Sequence, residues 1–203
     1  KVELEASQVE LLERIGSAIE RKPNANGQHI ACVAALSRQI ATWLGLTGAQ
    51  IELLGKAAPL HDIGKLFIEP NIIIKPSELD DNEKQFIQQV PALGQQLLAG
   101  SEREMIQVAE IIAGQHHEWW DGTGYPNGLS GSNIHIYARI VAVATSYAAI
   151  RSELVYAGAE SHQHALKELM KLKGKQFEPK LIDLVFKNEH EIDKIYNSSR
   201  SSF

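Results

Sequence analysis

The sequence predicts an all-α domain. Three observations carry that expectation. Apolar residues recur at helical spacing along most of the 203 residues, no segment alternates as a half-buried strand does, and the breaks between helical segments are short and rich in Gly, Pro or Asn. A composition of 44% hydrophobic and 22% charged residues is that of a globular unit large enough to bury a core.

Leu12, Ile15 and Ile19 form an apolar stripe in the opening segment. They fit either a helix packed on its own domain or a linker helix that dimerises and relays a signal from an upstream module. Residues 1–20 are read as this lead-in helix and 21–203 as the domain proper. Pro23 to Gly27 is a break, and from His29 onward Ile30, Val33, Ala34, Ser37, Ile40, Ala41 and Leu44 mark one buried face, stopped at Gly45. A second helix is expected from about Ala49 into His61, ending at Gly64. Ser77 to Gln89 is expected as a helix capped by Ser77, and Glu102 to His117 as another. Gly122, Gly124, Pro126, Gly128 and Gly131 then force a long loop. Helices are expected again over about Tyr137–Tyr156, His162–Leu172 and Pro179–Tyr196, followed by a frayed Ser198–Ser202 end. Helices joined by short breaks pack as a bundle.

Several function classes drop out on bulk grounds. A net charge of −5 disfavours broad nucleic-acid binding, which needs clustered Lys and Arg. The single cysteine, Cys32, excludes an internal disulfide and fits a reducing, cytoplasmic setting, and on a helix it reads as a small buried apolar residue. No apolar run reaches the roughly 20 residues of a membrane span. A chain opening at Lys1 is expected to be a piece of something longer.

Three clusters resist explanation as core. His61-Asp62 places an imidazole and a carboxylate together at a helix end, with Gly64 and Lys65 behind. His116-His117-Glu118 offers two adjacent nitrogen donors. His29 stands alone at a helix start. His and carboxylate donors without thiolates suit Zn, Fe or Mn. Each cluster alone is weak evidence, because a lone buried His is more often hydrogen-bonded structure than a ligand. His135, His162, His164 and His190 are assigned to surface or local hydrogen bonding, and Trp119 and Trp120 to core anchoring or a stacking surface.

The clusters gain weight from the text around them: LHDIGK at Leu60–Lys65, Lys75-Pro76, HHEWWDGTGYPNGLSG at His116–Gly131 and ARIVAVA at Ala138–Ala144. In this order and spacing the chain resembles the HD-GYP family, a branch of the HD superfamily of metal-dependent phosphohydrolases. The resemblance implies a helical HD bundle with a Gly-rich GYP loop. It also implies hydrolysis of cyclic di-GMP at a centre of two or three metals, and a place behind a receiver or sensor module. One metal position is implied for His29, His61 and Asp62, and a second for Asp62, His116 and His117. Asp62 and Lys65 are the implied catalytic groups, and Lys65, Tyr125 and Arg151 the implied ligand contacts.

The pattern fails at particular places. A histidine is implied just before Pro91, where Val90 stands. An aspartate is implied after Ala144, where Thr145 stands, with Ala148 at a second aspartate of that phrase. Ala25 occupies the position of a further glutamate, Leu154 that of a phosphate-binding arginine, and Ala157 that of a basic residue. Arg151, three positions from Leu154, is the candidate to compensate. Each metal position has lost one ligand, and Asp62 is the one carboxylate left to balance two dications. The leading expectation is therefore a degenerate signalling domain, catalytically impaired, acting through cyclic di-GMP or another signalling protein. The alternative is a weakly active metal-dependent cyclic di-GMP phosphodiesterase. Reduced or absent Fe, Mn or Zn is expected in either case, and a homodimer is compatible with both.

Overall fold

The computed structural model describes residues 10–11, 14–16, 18–19, 28–75, 77–152 and 162–200. Among these the chain is helical, with one isolated bridge between Lys173 and Phe177 and no strand. The expected all-α bundle is what forms.

The central helix, α1 (Gln28–Leu44), packs against the rest of the domain on several sides. The expected face is buried from Ile30 through Ala41, and Cys32 and Leu36 are buried with it. Leu44 at the helix end is only half-buried, and Gly45 closes the helix at φ +85°. Thr47 then caps α2 (Gly48–Ala57): its hydroxyl accepts from the Gln50 N–H, while the Gln50 side chain accepts from the Thr47 N–H at 3.0 Å. Ahead of α1, Gly16 and Ile19 are buried whereas Leu11 and Ile15 are exposed, and Leu12 lies outside the described residues. The lead-in helix therefore rests on its own domain by one face.

The second helix does not run into His61. It stops at Ala57, and Ala58–Leu60 and Ile63–Phe67 are tighter 3₁₀ turns. Pro59 explains the change, since it lacks the N–H that would continue the ladder. His61 and Asp62 thus sit between two tight turns, off any continuous helix.

After the short α3 (Pro70–Ile73), α4 (Asp81–Gln88) begins at Asp80, not at Ser77. Asp80 and Glu83 form a full capping box, which Ser77 has no partner to match. The sequence reading also missed α5 (Val90–Leu98), started by Pro91 in its first turn. α5 lies directly on the HD turn. A Cβ on Gly64 would come 2.0 Å from the Val90 carbonyl oxygen and 2.7 Å from the Gly94 nitrogen. Gly64→Ala is accordingly expected to cost roughly 3 kcal/mol, lowering Tm by about 6–12 °C in thermal unfolding.

α6 (Glu104–Gln115) delivers His116 at its end, and α7 (Ile136–Arg151) brings Thr145 alongside. α7 is buried on most sides, and its alanines let neighbouring helices approach closely. Residues 153–161, which include Leu154 and Ala157, lie outside the described residues, as do Ala25 and Pro76. α8 (His162–Lys171) follows. The expected helix from Pro179 to Tyr196 is two: α9 (Pro179–Lys187) and α10 (Glu189–Arg200), broken at Asn188. There the Asn188 amide donates to the Leu184 carbonyl at 2.8 Å and competes with the helix ladder. The serine run is not frayed as far as it is described. Ser198 and Ser199 remain helical and donate to the Ile195 carbonyl at 3.0 and 2.8 Å.

Candidate metal centre

Tight turns and helix ends deliver the expected donors to one place. His61 is fully buried and its Nδ1 lies 2.9 Å from the Ala58 carbonyl oxygen. His116 is 3% exposed, with Nδ1 3.0 Å from the Ile112 carbonyl and 3.2 Å from that of Ala113. A carbonyl only accepts, so each Nδ1 carries a hydrogen and the lone pair of each neutral ring is on Nε2. Both Nε2 atoms point at Asp62: His61 Nε2 is 3.4 Å from Oδ2, and His116 Nε2 is 3.6 Å from Oδ1. Neither approach makes a hydrogen bond. His61 Nε2, His116 Nε2 and Asp62 Oδ1 are all buried without a hydrogen-bond partner. Three such orphans around one carboxylate are costly unless something else satisfies them.

Asp62, His116 and His117 each offer a donor atom within 4.8 Å of the others. This is the second of the two expected metal positions without the group replaced by Val90. His61 adjoins it through Asp62 and through His116, whose ring centroid is 5.3 Å away. His29, half-buried at the start of α1, lies 6.4 Å from His61 between ring centroids. A divalent ion fits this donor set of imidazole nitrogens and one carboxylate, each oriented by its own carbonyl or neighbour.

The electrostatics favour one ion over two. Burial alone would raise the Asp62 carboxyl, yet Lys65 and the imidazoles hold it well below the ordinary aspartate value. The Lys65 ammonium is bonded to Asp62 Oδ2. A second dication would face this cation as well as the first ion, and Asp62 is the one carboxylate in the donor group found among the described residues. Burial and the neighbouring His116 hold His117 well below 6.5, so its ring is neutral and able to donate. His61 differs: burial lowers it most, but Asp62 and the Ala58 carbonyl together outweigh burial and the Lys65 charge, and the net shift is upward from 6.5. Protonated His61 thus stabilises the metal-free fold fully below pH 6.5, and that contribution is lost as pH rises through the raised value. A bound cation needs the same lone pair. Zn²⁺ affinity is expected to climb between about pH 6 and 8, with a proton released on binding. Calorimetry in two buffers of different ionisation enthalpy checks this, and a flat profile removes His61 from the ligand set.

Val90 and Thr145 stand where the loss of ligands was expected to show. Val90 is 1% exposed, on the backbone that covers Gly64. The Thr145 hydroxyl is buried with no hydrogen-bond partner. Tyr125 stacks on the His117 ring at 4.9 Å and 14°, and burial, then the Asp62 charge, raises its phenol to about 12. Arg151 departs from expectation. Its guanidinium donates to Asp193 Oδ1 at 2.5 Å and to the Tyr147 hydroxyl at 2.9 Å, and lies 4.5 Å from the Tyr196 ring centroid. Its charge is paired with Asp193 of α10. His135 and His162 have the local bonds expected of them, to the Tyr137 N–H and the Tyr147 hydroxyl.

Glu118 was given no role from sequence. It is 2% exposed, and its carboxylate accepts the N–H groups of Asn127 and Leu129 at 2.7 and 2.9 Å. The available signal was a carboxylate directly after the paired histidines and ahead of a Gly-rich loop. Gly124 completes the closure: a Cβ there would lie 2.2 Å from the Trp119 nitrogen and 2.6 Å from the His117 carbonyl oxygen.

The HD domain family profile matches residues 13–181. The chain belongs to the HD domain family. Within it the motif string and the relatives are those of the HD-GYP branch. Over 190 residues the chain is 36% identical to a 3′3′-cGAMP-specific phosphodiesterase 2 of Vibrio cholerae, covering 94% of this chain and 36% of that protein. It is 35% identical to the cyclic di-GMP phosphodiesterase response regulator RpfG of Xanthomonas campestris pv. campestris, covering 95% of this chain and 51% of that one. Among solved structures, a cyclic GMP-AMP specific phosphodiesterase of V. cholerae superposes with a TM-score of 0.70 at 19% identity, covering 96% of this chain and 51% of the other. An HDG"Y"P protein from Bdellovibrio bacteriovorus gives a TM-score of 0.65 at 24% identity, covering 88% of this chain and 56% of its own. These two likenesses speak to the fold. The HD-GYP chain therefore spans between about a third and a half of these sequence relatives' own length. No helix among the described residues is long and apolar enough to cross a membrane.

Proposed function

We propose that this HD-GYP chain is a metal-dependent phosphodiesterase domain for cyclic dinucleotides, working slowly from one metal position. The supporting observation is the close group of Asp62, His116 and His117 donor atoms, within 4.8 Å of one another, in which His116 Nε2 and Asp62 Oδ1 are buried without hydrogen bonds. A site given up altogether gains nothing by keeping that arrangement. The relatives are phosphodiesterases, which favours this reading over the non-catalytic one that the sequence put first.

Asp62, His116 and His117 would hold the ion, with His61 alongside. A metal there, Fe, Mn or Zn, supplies Lewis acidity and an activated water. The chain's own contributions are distinct. Carbonyls fix the His61 and His116 rings, Asp62 supplies the negative charge, and Lys65 is the cation bonded to it at the site. The Tyr125 phenol, held protonated, stays a donor at the rim. As one of the relatives is a response regulator, the domain is read as the output of a longer signalling protein.

A second reading, a signalling domain that binds ligand without turnover, is favoured by Val90 and by the unpartnered Thr145 hydroxyl. Purified protein loaded with Mn²⁺ or Fe²⁺ and given cyclic di-GMP or 3′3′-cGAMP separates them. The expected result is about one ion per chain and slow turnover that Asp62→Ala removes. Binding without turnover selects the second reading, and neither binding nor turnover overturns both.

A further inference from the structure

We propose that Glu118 is a positioning residue for the metal centre, acting through the GYP loop and Tyr125 to hold the His117 ring. The inference rests on the metal-site reading above. His61 and His116 are each fixed by a carbonyl on Nδ1, but no hydrogen bond holds either nitrogen of the His117 ring among the described residues. Two other rings pack against that ring: His116 at 4.1 Å and 47°, and Tyr125 at 4.9 Å and 14°. The Tyr125 face is the near-parallel one and sets the plane of the imidazole.

Tyr125 is in turn set by the loop. Its N–H donates to the His117 carbonyl at 3.2 Å, which joins one limb of the loop to the histidine pair. The other limb is fastened by Glu118. This carboxylate is buried and spends its two oxygens on the N–H groups either side of Gly128, where φ is +66°. A buried carboxylate accepting two backbone N–H bonds is strong and directional. Glu118 immediately follows the histidine it would orient, so loop and ligand share one anchor.

The test compares Glu118→Gln, Tyr125→Phe and Tyr125→Leu by competition for Zn²⁺ against a chelator, and by two readouts on metal-free protein. Those are hydrogen exchange at the Asn127 and Leu129 amides and the His117 ring-proton shifts, which carry the Tyr125 ring current. Glu118→Gln keeps the shape but turns an amide N–H₂ toward one backbone N–H. It is expected to speed both amides, move the His117 ring shifts and weaken Zn²⁺ roughly 10–100-fold. Tyr125→Phe, which keeps the ring, is expected to bind like the parent, and Tyr125→Leu to fall as Glu118→Gln does. Should Glu118→Gln fail to fold, the two Tyr125 variants decide: equal affinity of Leu and Phe overturns the proposal. Unchanged ring shifts in a folded Glu118→Gln overturn it too. If the parent binds no Zn²⁺ at all, the metal reading fails, while the metal-free shifts still report on whether Glu118 orients the ring.

Discussion

Asp62→Asn is expected to weaken binding of a divalent transition metal by more than about a hundredfold, beyond the range typical of outer-sphere changes. The substitution keeps the shape of the side chain and removes its charge. Asp62 is the carboxylate of the Asp62, His116 and His117 donor group, and it faces the Nε2 atoms of His61 and His116. It also balances Lys65, whose side chain is 23% exposed, so the variant leaves that ammonium without its partner. Partial exposure limits the loss of stability to about 1–2 kcal/mol. Thermal unfolding with and without metal gives a second check. Ligand at 100 times its Kd stabilises the parent by about 2.7 kcal/mol, and the variant at the same concentration is expected to show almost none of that rise. Equal metal-induced stabilisation in the two proteins places the ion elsewhere.

Val90→His combined with Thr145→Asp is expected to raise bound metal from about one ion per chain toward two. It should do so by more than the single changes together, because each supplies a ligand to a different position and both positions share Asp62. The single changes carry costs that the pair offsets only when metal is present. Val90 is 1% exposed against the HD turn, so a larger imidazole must displace packed neighbours. Thr145→Asp places a charge where a hydroxyl already lacks a partner, and without metal is expected to cost roughly 2–3 kcal/mol. Elemental analysis after dialysis reads the stoichiometry, and unfolding with and without Mn²⁺ reads the offset. A folded double variant with no more metal than the parent shows that positions 90 and 145 do not face the ions, and the case for a dismantled second position goes with it.

The sequence disclosed the fold class and the donor residues, but not the path of the backbone between them. Helical periodicity marked α1 and α6 because each has one clear apolar face. It merged α9 with α10 because the apolar pattern runs on through Asn188, where a side-chain bond ends the ladder. It passed over α5, a short helix whose buried positions include Pro91 and Gly94, residues that read as breaks. In the site, residue type marked His61, Asp62, His116 and His117 as candidates, and the resemblance supplied their grouping. Residue type could not tell that Lys65 is bonded to Asp62, that Arg151 is held by Asp193, or that Glu118 fastens the loop. Those are statements about partners far apart in sequence or about which of several acceptors wins, and they depend on packing.

The clamp of Arg151 between Tyr196, Tyr147 and Asp193 joins the end of α7 to α10, a helix that lies beyond the span matched to the family. It makes the two ends of the clamp interdependent in heredity as well as in space. A change at Arg151 alone strands an aspartate, and a change at Asp193 alone strands a guanidinium whose Nε already lacks a partner. Neutral drift through this pair is therefore closed one step at a time and open only to a double substitution. A lineage that regained an arginine at position 154 for substrate would still carry Arg151 as a fixture of its architecture.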